Sequence, residues 1–299
     1  MSVFLLRKIS KSHVWFAGAV FSVACGGEGV PPLGDLVDDL GQAVALEGPA
    51  QRVVSLSPAI TELLFAIGAG DRVVGRTQWG DYPAAVSDVP SVGDGLNPNV
   101  ELVAAQRPDI VGFYASSSNA QAIERLTALG IASFSLRLDS LASVISAARF
   151  LGRVTGHSVA ADRFADTFTA SLDSARTVPR AGSGPRVVLL SWDNPPIVIG
   201  GASFLSELIE LGGGRNVFAD IAQPSATVAL ETIAERNPDA FVSFTDEVPA
   251  FARRPEWQTI DAVREARFAL VTGSEFSYPS PRALEAVERL RTALERVSR

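Results

Sequence analysis

Glu101-Leu-Val-Ala-Ala-Gln-Arg-Pro108-Asp109-Ile-Val111 recurs 130 residues later as Glu231-Thr-Ile-Ala-Glu-Arg-Asn-Pro238-Asp239-Ala-Phe241, with the glutamate seven residues before the proline in both copies. Each copy reads as a short helix ended by proline and followed by a buried strand. Upstream, Arg52-Val-Val-Ser-Leu56 is echoed by Arg186-Val-Val-Leu-Leu190, and each run leads to a helix that glycines stop: Gly68 and Gly70 in one copy, Gly212-Gly213-Gly214 in the other. Several matches in one order indicate two lobes of similar topology.

Within the first lobe, residues 42–46 and 52–56 read as short strands around the Gly48-Pro49 turn. Ser57 then serves as N-cap and Pro58 as first helical residue, with Ile60, Leu63, Leu64 and Ile67 on one face. A strand at 73–75 and a helix at 100–106 lead to the apolar strand 110–113. Strand and helix alternate, the pattern of a parallel sheet. Between the lobes, residues 140–152 predict an amphipathic helix, and residues 158–177, after the Gly156-His157 break, predict a second one about 30 Å long at 1.5 Å per residue. Phe164, Phe168 and Leu172 give it one apolar face. A single long helix is a stiff connector, so the lobes should change their relative angle little.

The first 24 residues are of another kind. Arg7, Lys8 and Lys11 precede the apolar run 14–24, which is too short for a membrane-spanning helix and reads as a secretory signal. Cys25, the chain's single cysteine, follows it directly, so no internal disulfide is available. Residues 25–34, Gly- and Pro-rich, read as a flexible tether. Without residues 1–24 the chain keeps 23 basic groups (26 less 3) against 33 acidic ones, a net charge of −10. That excludes nucleic acid as a natural partner. No G-x-S-x-G elbow, phosphate-binding glycine loop or second cysteine is present, so no catalysis is expected. His157 is the one histidine left after the signal, against the roughly four ligands that a zinc site needs.

Arg52-Val-Val-Ser-Leu-Ser-Pro-Ala-Ile-Thr-Glu62, Asp81-Tyr82-Pro83, the two Glu-to-Pro-Asp segments, the central helix and Ser280-Pro281-Arg282 resemble the helical-backbone metal receptors, the class III periplasmic binding proteins. The resemblance implies two similar Rossmann-like α/β lobes joined by one backbone helix with a ligand cleft between them. Its divisions are a signal at 1–24, a lipidated Cys25 with tether at 25–34, one lobe at 35–140, a helical segment at 141–178 and a second lobe at 183–299. Trp192-Asp-Asn-Pro-Pro196 and Trp79-Gly-Asp-Tyr-Pro83 are similar to turns of the cobalamin-binding branch, although Gly93 and Ser225 stand where that branch has tryptophan. The implied role is a monomeric, lipid-anchored receptor without cofactors on the outer face of the cytoplasmic membrane. It would pass cobalamin to the permease and ATPase complex of an ABC importer; a ferric siderophore or haem is the alternative cargo.

A corrinoid is a wide apolar disc with an amide fringe, which calls for aromatic walls and scattered hydrogen-bond donors. Trp79, Tyr82, Tyr114 and Trp192 fall at or after the carboxyl ends of expected strands, where open α/β sheets bind ligands; each could instead pack within a lobe core. Pro58 and Ala59 start a helix whose N–H groups suit polar ligand edges. Asp94 and Asn194 complete that set, and by resemblance Phe276 and Tyr278 reach the cleft. Arg282 either joins them or anchors the last helix. An anionic siderophore would want several cleft arginines, and only Arg76, Arg137 and Arg282 are so placed. Tyr82, Tyr114 or Tyr278 could give iron a phenolate. By resemblance, Glu101 and Glu231 dock the permease; alternatively they serve only the helix dipole.

Overall fold

In the computed structural model, which describes residues 36–177 and 184–297, the repeat becomes two sheets with one strand order. The first lobe runs β1 (Val53–Ser55), α1 (Pro58–Ala66), β2 (Val73–Arg76), α2 (Val100–Ala105), β3 (Ile110–Tyr114), α3 (Ala120–Ala128) and β4 (Ala132–Leu136). Its strands are parallel in the order β2-β1-β3-β4. Helices α4 (Leu141–Thr155) and α5 (Ser158–Thr177) follow. The second lobe runs β5 (Arg186–Asp193), β6 (Pro196–Ile199), α6 (Phe204–Leu211), β7 (Arg215–Asn216), β8 (Ser225–Thr227), α7 (Leu230–Arg236), β9 (Ala240–Ser243), α8 (Asp261–Arg264), β10 (Phe268–Leu270) and α9 (Ala283–Val297). Its parallel pairs β7-β5, β5-β9 and β9-β10 reproduce the first lobe's order. Strands β6 and β8 are an antiparallel addition beside the outer half of β5.

The repeated Pro-Asp has the same mechanical cause in both lobes. Asp109 accepts the N–H groups of Gln51 and Arg52 at 2.7 and 2.9 Å, while the Arg52 guanidinium donates to the Gln106 and Arg107 carbonyls at the end of α2, at 2.6 and 2.9 Å. In the second lobe Asp239 accepts the Arg186 N–H at 2.7 Å, and Arg186 donates to the Arg236 and Asn237 carbonyls at the end of α7. Arg107 and Asn237 both have left-handed backbones, φ 49° and 42°, which turn the chain from helix to strand. This lock sits at the amino ends of the strands and leaves the carboxyl ends to loops.

Both faces of each sheet are buried, as parallel strands require. Val54, Val111 and Phe113 face a cluster private to the first lobe, and Val188 and Phe241 one private to the second. The alternate residues, Val53 and Ile110 in one sheet and Val187, Leu189 and Val242 in the other, belong to a single cluster that runs through α4 and α5. The connector is therefore part of a continuous core, which opposes bending between the lobes. Helix α4 starts with a reciprocal Ser140–Ser143 capping box and ends at Gly156 in left-handed geometry. Helix α5 buries Ala161, Ala165, Phe168, Leu172 and Ala175, and Gly152 lets α4 lie against Ala161, since a Cβ there would meet the Ala161 Cβ at 2.4 Å.

Two local expectations are corrected. Residues 42–46 form no strand beyond the isolated Val37–Ala43 bridge; just ahead of them the Asp38 carboxylate takes the N–H groups of Leu40 and Gln42 and winds residues 38–42 into a turn. Ser57 has the extended backbone of an N-cap, but its side chain caps nothing; the helix begins on Pro58 alone. The expected signal, Cys25 and the tether lie outside the described residues.

Candidate functional site

The carboxyl ends of the strands carry the exposed aromatic residues. Trp79 and Tyr82 follow β2, Tyr114 ends β3 and Trp192 lies near the end of β5; they are 62%, 40%, 38% and 59% exposed. Rings of this size are ordinarily drawn into a core, and here local bonds shape the segments that carry three of them. The Trp79 backbone N–H donates to Thr77 Oγ1 at 3.1 Å, and the Trp192 indole N–H donates to the Asn194 carbonyl of its own turn at 2.7 Å. The Tyr114 hydroxyl donates to Asp139 at 2.6 Å; that hydrogen bond, with burial and the Asp139 charge, raises its pKa.

The lobes meet at a buried ion cluster. Arg282 grips Glu62 of α1 with two bonds, Nη2 to Oε1 at 2.5 Å and Nε to Oε2 at 3.0 Å, and reaches Glu275 at 3.1 Å. Glu275 also pairs with Arg289. Glu62 and Glu275 side chains are 1% and 5% exposed. The Tyr278 hydroxyl donates to Glu62 at 2.8 Å; burial first, then the Glu62 charge, pushes its pKa far above the ordinary tyrosine range. Burial opposes the charge on Arg282, but the bonds and charge of Glu62 outweigh it and raise that pKa too. The guanidinium carbon lies 4.2 Å from the centre of the Tyr82 ring.

The remaining expected residues divide. Pro58 is half-buried and has no N–H to give, and Ala59 is buried as a whole residue, so this helix start presents little to a ligand. Asp94 accepts the Leu96 N–H at 2.8 Å and so shapes its own loop; Asn194 sits exposed in the Trp192 turn. Phe276 is a correction: it is 3% exposed, its ring stacked 4.9 Å from Phe244, because the loop after β10 turns inward as it leaves the sheet. Arg282 is likewise committed to Glu62 and Glu275 rather than open to the cleft. Gly93 has φ +95°, a conformation that disfavours a tryptophan there, and Ser225 opens β8. His157 lies in the α4–α5 break, bonded to Thr155.

Glu101 and Glu231 are both exposed in the first turns of α2 and α7. Each helix ends at the amino edge of its sheet and runs back against the next strand, so its start points toward the carboxyl edge. Glu101 pairs with Arg125 at 2.6 Å. Sequence reasoning missed Asp139, the partner of Tyr114, and Leu96, 71% exposed beside the carboxyl ends of β1 and β2. It also missed Glu62 as a buried charge; the available signal was a lone carboxylate in the apolar run of α1.

The family described as periplasmic binding protein matches residues 53–274. An uncharacterized ABC transporter substrate-binding lipoprotein of Bacillus subtilis is 31% identical over 264 residues, which is 85% of this chain and 83% of that one. A vitamin B12-binding protein of Yersinia pestis is 30% identical over 250 residues, 81% of this chain and 85% of that one. The solved structure of a periplasmic haem-binding protein from Roseiflexus sp. RS-1 covers 84% of this chain and all of its own with a TM-score of 0.73 at 22% identity, a likeness of fold. Among the described residues no helix is long and apolar enough to cross a membrane.

Proposed function

Because the chain belongs to the periplasmic binding protein family, we propose that it captures a corrinoid, cobalamin, between its lobes and hands it to an ABC permease driven by its ATPase. In this reading Cys25 carries the lipid that holds the receptor, a monomer, at the outer face of the cytoplasmic membrane; Glu101 and Glu231 meet the permease, and no reaction is catalysed. One observation carries the choice of cargo: Trp79, Tyr82, Tyr114 and Trp192 stand exposed at the carboxyl ends of strands from both sheets. Such rings suit a wide apolar disc, and Asp94 and Asn194 offer polar groups to its amide fringe. The relative from Yersinia pestis, named for vitamin B12, supports the same class.

The charges disfavour an anionic iron chelate. Arg76 donates to the backbone carbonyls of Val86 and Thr77, Arg137 lies 3.9 Å from Asp139, and Arg282 is held by two glutamates. Carboxylates hold the hydroxyl protons of Tyr114 and Tyr278, which a phenolate ligand to iron would have to lose. Trp79→Ala and Trp192→Ala are each expected to weaken hydroxocobalamin binding about tenfold, with an unchanged melting temperature because both rings are exposed. Equilibrium dialysis checks this; affinity unmoved in both variants would remove the aromatic walls from the site.

A further inference from the structure

Two motif ends that ligand capture leaves unused, Glu62 and Arg282, lie 220 residues apart and meet across the lobes. Every guanidinium nitrogen of Arg282 is engaged in the plane: Nε and Nη2 on Glu62, Nη1 on Glu275, and Nη2 also on Ser274 Oγ at 3.1 Å. Its face is left for Tyr82, 4.2 Å away and 40% exposed. The same Glu62 accepts the Tyr278 hydroxyl. One ion pair thus holds an aromatic ring from each lobe. A buried ion pair seldom stabilises more than an apolar pair of equal volume, so joining the lobes does not by itself account for it. What an apolar pair lacks is a planar fork that fixes its partners in direction while stacking on a ring.

We propose that Arg282 is a positioning residue for ligand capture: gripping Glu62 across the lobes, it presets the Tyr82 ring and the spacing of the cleft before ligand arrives. This rests on the reading of the cleft as a corrinoid site with Tyr82 in its wall. A preset wall spares a rigid ligand the loss of side-chain freedom on binding.

The test is a double-mutant cycle on the full chain with hydroxocobalamin as probe, together with hydrogen exchange of the ligand-free protein. Tyr82→Leu and Arg282→Lys are each expected to weaken binding about tenfold, and the double variant no more than about twofold beyond Tyr82→Leu alone, since Arg282 acts through that ring. Effects that multiply to about a hundredfold, or a Tyr82→Leu variant with undiminished affinity, would overturn the proposal. Without ligand, Arg282→Lys should speed amide exchange in residues 79–82 and 274–278 about tenfold and leave α5 unchanged; unchanged exchange in both segments overturns it as well. If the unaltered protein fails to bind hydroxocobalamin, the corrinoid reading falls and exchange alone decides the positioning role. Should Arg282→Lys not fold, Glu62→Gln with Arg282→Gln replaces the pair by neutral amides and goes through the same cycle.

Discussion

Glu62→Ala should lower the folding stability by about 3–5 kcal/mol, the range seen when one member of a buried ion pair is removed. The loss is large because of what stays behind. Arg282, 8% exposed, would keep only Glu275 and Ser274 as acceptors for its guanidinium, and the half-buried Tyr278 hydroxyl would lose the acceptor it has. Against a total of about 5–15 kcal/mol for an ordinary protein, this is a substantial fraction. Adding Arg282→Met removes the stranded charge and should restore most of the loss, since apolar replacements of buried pairs are often neutral. Denaturant unfolding reads both effects. A Glu62→Ala protein within 1 kcal/mol of the original would mean that water reaches the cluster and screens it.

Reversing charge at both docking candidates, Glu101→Arg with Glu231→Arg, should abolish cobalamin uptake in cells and leave the affinity for hydroxocobalamin unchanged. Both residues are exposed and occupy equivalent positions of the repeat, one per lobe, at the helix ends that point toward the carboxyl edges. Losing an acidic group in the first turn should cost only about 0.3–1 kcal/mol, so the fold should survive. Charges at an interface chiefly govern encounter and partner choice, so the effect belongs to uptake. Normal uptake with weakened binding would place both glutamates in ligand capture or in the fold alone.

Much of the scaffold was legible because its causes are local. The spacing from Glu to Pro-Asp marks a helix end and a strand start, and the structure supplies the reason in the paired Arg52–Asp109 and Arg186–Asp239 locks. Helices α5 and α6 lie where the apolar spacing and the terminal glycines put them. The β6–β8 addition was not legible, since its strands are short and pair antiparallel in sequence, β6 on β5 and β8 on β6, with no counterpart in the first lobe. Residues 42–46 misled for a related reason: alternation suggests a strand, but the turn that Asp38 closes over residues 38–42 leaves only Ala43 in a bridge, to Val37. At the site, sequence position told which residues stand at strand ends but not which way they face. Tyr114 ends one apolar strand and Phe276 lies in the loop after another, yet one is partly exposed and the other stacks on Phe244. The partner of Glu62 could not be read at all, because the two residues share no local pattern.

The central claim, a cleft built for a corrinoid, is tested most directly by titrating residues 26–299 with hydroxocobalamin, hemin and a ferric siderophore in turn while tryptophan fluorescence is followed. Trp79 and Trp192 stand exposed at the strand ends, whereas Trp257 is buried in the second lobe, so an occupant of the cleft should quench the first two. Saturable quenching by hydroxocobalamin, absent with hemin and the siderophore, is the predicted result; saturation by either of those, with hydroxocobalamin failing to saturate, would contradict it.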